Sequence, residues 1–117
     1  MNKVIVQSMD ASSTLSLVGG ILESGFIPNE AQIHFSLRNG RPPLHQQDSY
    51  PLILKGELEQ IPTYVYVYGV AIGHIGVLPH VLFSILKACD FEFDEMDIWS
   101  TKLANPNSGW IDHTYRR

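Results

Sequence analysis

Residues 63 to 72 read TYVYVYGVAI, and this stretch narrows the fold more than any other part of the chain. Tyr64, Tyr66 and Tyr68 alternate with Val65 and Val67. Period two in β-branched and aromatic residues specifies a strand with two unlike faces. Each tyrosine hydroxyl needs water or a hydrogen-bond partner, whereas valine needs neither. The valine face is therefore expected to meet the helices and the tyrosine face to stay accessible. That arrangement requires a sheet covered on one side, a two-layer α+β architecture.

The rest of the chain supplies matching parts. Lys3–Ser8 is β-branched and reads as a strand. Asp10, Ser12 and Ser13 offer N-cap oxygens to a helix whose apolar positions Leu15, Val18, Ile21 and Leu22 follow helical spacing. Gly19 and Gly20 weaken that helix, and close packing on a sheet is the reason expected for them. Gly25 suits a left-handed C-cap and Pro28 forbids continuation. Ala31–Leu37 alternates as a half-buried strand, and Leu52–Leu58 is a weaker one in which Gly56 marks a bulge or an end. From Pro79 to Cys89 the apolar stripe Val81, Leu82, Ile85, Leu86 and Cys89, extended back to Leu78, predicts the clearest helix. Phe91–Trp99 is a further strand candidate with broken parity near Glu95, and Trp110–Tyr115 reads as a short terminal strand that docks through its aromatics.

The order β-α-β-β-β-α-β predicts a single α+β domain over residues 1–117. It is a mainly antiparallel sheet with two helices on one face, a ferredoxin-like βαββαβ frame with an extra strand or insertion. The chain has 117 residues, enough to bury a core without staples.

Charge and cysteine content limit the function. A net charge of −4 and a pI near 5.6 argue against a general nucleic-acid binder. A lone cysteine, Cys89, supports no disulfide framework, no leader pattern opens the sequence, and no run reaches the roughly 18 apolar residues of a membrane span. A cytoplasmic protein is expected, with no membrane contact.

Motifs for chemistry are sparse. The stretch GVAIGHIGVLPH, residues 69 to 80, places glycines between a strand and a helix, as phosphate cradles do. It lacks both G-x-x-x-x-G-K-[ST] and G-x-G-x-x-G, so a glycine-permitted turn is the simpler reading. His74 and His80 are six apart, which is not the spacing of a helical zinc pair. Cys89 lies on the apolar stripe of a helix and reads as a small core residue with a raised pKa. No catalytic residue, metal site or cofactor is assigned, and the balance favours binding over chemistry.

Three surfaces remain. Asp90, Glu92, Asp94, Glu95 and Asp97 place five carboxylates in eight residues, an acidic face suited to a basic protein. Tyr64, Tyr66 and Tyr68 form an aromatic platform suited to protein binding or homodimerisation. In the long loop 38–50, Arg38, Arg41 and His45 are candidate ligand-binding groups, together with His74 and His80 of the 73–80 turn. The first expectation is an inhibitor of the immunity or antitoxin kind that binds a basic partner through the carboxylates and the tyrosine face. The alternative is a small-molecule or nucleotide-binding module, with or without enzymatic activity, built on the loop and the turn.

Overall fold

The computed structural model describes residues 1–8, 10–36, 52–68, 78–95 and 110–117. They form β1 (Asn2–Val6), α1 (Ala11–Glu23), β2 (Ile27–Ser36), β3 (Leu52–Leu58), β4 (Ile61–Val67), α2 (Leu78–Ala88) and β5 (Trp110–Arg116). One five-stranded sheet runs in the order β1-β4-β3-β2-β5. β1 pairs parallel with β4, and every other pairing is antiparallel. The expected α+β class holds, with two helices packed on a mostly antiparallel sheet in a manner consistent with the ferredoxin-like pattern. The extension is specific: both β4 and β3 lie between the parallel strands β1 and β2 of the split β-α-β unit.

Register explains which side chains meet. Val4, Val65, Leu54, Ala31 and Tyr115 lie in one row across the sheet, and Val6, Val67, Leu52, Ile33 and His113 in the next. These rows share the core with Val18 of α1 and with Val81, Leu82, Ile85 and Leu86 of α2. Val65 and Val67 are 0% exposed. Each large aliphatic buried here contributes about 1.5–3 kcal/mol relative to exposure, so the inner face carries most of the favourable energy.

Both helices end alike. At α1, Gly25 sits at φ 106 while Phe26 N–H donates to Ile21 O at 3.4 Å and Gly25 N–H to Leu22 O at 3.1 Å. At α2, Asp90 takes the same left-handed position at φ 61, with Phe91 N–H donating to Leu86 O and Asp90 N–H to Lys87 O, both at 3.0 Å. These are Schellman turns, which satisfy the last helical carbonyls and fold the following residue inward. Phe26 and Phe91 are accordingly buried. Of the three N-cap candidates for α1, the cap is Asp10, whose carboxylate accepts from Ser13 N–H at 2.7 Å. The backbone and hydroxyl of Ser13 hold that carboxyl below the usual carboxylate range.

Two expectations need correction. Phe91–Asp94 is not a strand. The Schellman turn redirects the chain and Phe91 and Phe93 both pack on the helical layer, so the fifth strand is instead Trp110–Arg116 beside β2. The rest of the 91–99 candidate, from 96 onward, lies outside the described residues. Gly19 and Gly20 are not at a helix–sheet contact either: among the described residues, a Cβ built on either meets nothing within 4 Å. Their backbone freedom therefore goes uncompensated, and Gly19→Ala or Gly20→Ala should each stabilise the fold by about 1 kcal/mol. Urea unfolding that shows no rise in midpoint would mean that something else occupies that space.

Candidate functional site

The outer face of the sheet is built by the same register that makes the core. Shifting one residue along each strand gives the row Lys3, Tyr64, Lys55, Glu30 and Arg116, and on the far side of the intervening core row lies Ile5, Tyr66, Ile53, Gln32 and Thr114. The tyrosines thus stand on the face away from the helices, as their alternation requires. Tyr64, Tyr66 and Tyr68 are each half-buried, and Ile5 beside Tyr66 is 58% exposed. The Tyr64 and Tyr66 rings lie 6.4 Å apart and tilt by 58°. Lys55 Nζ sits 5.3 Å from the Tyr64 ring centroid, within cation–π range. Glu30 Oε1 accepts from Arg116 Nε at 3.3 Å on the exposed surface. Such a pair contributes little to stability but fixes where the charges sit.

The acidic segment is placed by other forces. Phe91 is drawn inward by the Schellman turn, and Phe93 stacks on Phe83 of α2 with centroids 5.9 Å apart and planes 16° from parallel. With alternate residues anchored, Asp90, Glu92, Asp94 and Glu95 all face solvent. Asp90 Oδ2 lies 3.7 Å from an Arg117 guanidinium nitrogen, and Glu95 Oε1 lies 4.0 Å from Lys87 Nζ. Asp90 and Glu95 thereby lie at the C-terminal end of α2. The tyrosines occupy the opposite layer, so the structure separates two surfaces that sequence alone groups into one.

Of the remaining candidates, His80 is exposed in the first turn of α2, with its ring edge-on to Phe83 at 5.5 Å. Arg38, Arg41, His45, His74 and Asp97 lie outside the described residues. Among the described residues, no cluster of three or more His, Cys, Asp or Glu side chains could hold a metal ion, and no helix is long and apolar enough to cross a membrane. Cys89 is 2% exposed, and burial pushes its thiol up to about 11, against a smaller lowering by Arg117. It is a core residue and not a nucleophile at neutral pH.

Sequence reading missed Lys3, Ile5, Ile53 and Lys55 as companions of the tyrosines. The alternation in LILKGEL already puts Ile53 and Lys55 opposite the buried Leu52 and Leu54. What it lacks is the identity of the neighbouring strands. Comparison with protein-family models, with curated proteins and with solved structures finds no match for this chain.

Proposed function

We propose that this protein is a small binding module that engages a basic protein through the carboxylates at the end of α2, in the manner of an immunity or antitoxin inhibitor. One observation carries the reading. A helix C-terminus already bears a partial negative charge, and stability alone favours cations there by about 0.3–1 kcal/mol per residue. This chain instead follows that end with the exposed carboxylates Asp90, Glu92, Asp94 and Glu95, with Lys87 4.0 Å from Glu95 and Arg117 3.7 Å from Asp90. A surface held against its own electrostatics is where a function is to be sought. The same field steers a cationic partner and raises the rate of encounter. A reducing, cytoplasmic setting accords with the single buried thiol.

The test is the double charge reversal Glu92→Lys with Asp94→Lys. It should abolish capture of basic proteins from the native host by the immobilised chain, capture that in the wild type fades with added salt. Both side chains are exposed, so the double variant should keep its fold, which circular dichroism checks. Wild-type protein that recovers no basic partner, or a variant that recovers it equally well, would sink the proposal.

A further inference from the structure

We draw no further inference here: the strongest candidate, the outer face of the sheet around Ile5, Tyr64 and Tyr66, carries none because Glu30 and Arg116 of its charged row already pair within the chain and nothing in the structure shows what covers it.

Discussion

Gly56→Ala should destabilise the protein by about 3 kcal/mol, a large share of the stability of a domain this size. The cause is backbone proximity. β2 bulges between Pro28 and Glu30, and the bulge carries its backbone across the inner side of Gly56. A Cβ at position 56 would collide with the Ile27 carbonyl and come within 2.8 Å of Pro28 Cα. Neither obstacle is a side chain that can swing away, so the strands must part or the bulge must shift. Pro28 is itself tolerated because it sits at the bulge, before β5 pairing begins at Glu30. Thermal unfolding should show the midpoint falling by more than about 10 °C. A variant that melts within a few degrees of wild type would show that the bulge yields easily.

In the opposite direction, Glu59→Asn combined with Gln60→Gly should stabilise the protein by about 2 kcal/mol. Strands β3 and β4 are joined by only Glu59 and Gln60, with φ of 52 and 67. Two consecutive positive φ values mark the type I′ hairpin turn, whose twist matches that of the flanking strands. Left-handed backbone costs an ordinary L-residue roughly 1–2 kcal/mol, and Asn-Gly accepts it with little strain. Leu58 and Ile61 pair across the turn in the ladder, so register should be unchanged. Chemical denaturation should move the midpoint up with the slope unaltered. An unchanged or lowered midpoint would mean that Glu59 or Gln60 makes compensating contacts.

These two positions show how far the sequence could be read. Gly56 was recognisable as a bulge or an end, since glycine inside a strand pattern commonly marks one of the two. The bulge, however, is in the neighbouring strand, and only pairing reveals it. The two strands of the hairpin were readable, but its tight turn at Glu59 and Gln60 was hidden because Glu-Gln is not a turn signal: the ladder on both sides imposes the conformation against local preference. Asp90 was hidden for the same reason, its left-handed backbone being held by the hydrogen bonds that close α2 and by burial of Phe91. The strand expected at Phe91–Trp99 is absent over Phe91–Asp94 because FEFD alternates for a different cause. Its phenylalanines anchor a turn to the helical layer and do not line a sheet.

For the candidate surfaces, composition and alternation identified the tyrosines and the carboxylates. They could not decide whether the two groups meet. A side chain's face follows from its parity within a strand, which is local and therefore readable. Its neighbours follow from strand order and register, which depend on contacts between residues far apart in the chain. The sequence alone thus determined that valines and tyrosines would take opposite faces of one strand, and that a run of carboxylates would follow the second helix. Only the tertiary structure decided that Lys3, Lys55 and Glu30 share a row with Tyr64, and that the carboxylates stand on the opposite layer, because pairing β1 with β4 and β3 with β2 is chosen by burial of the whole inner face at once.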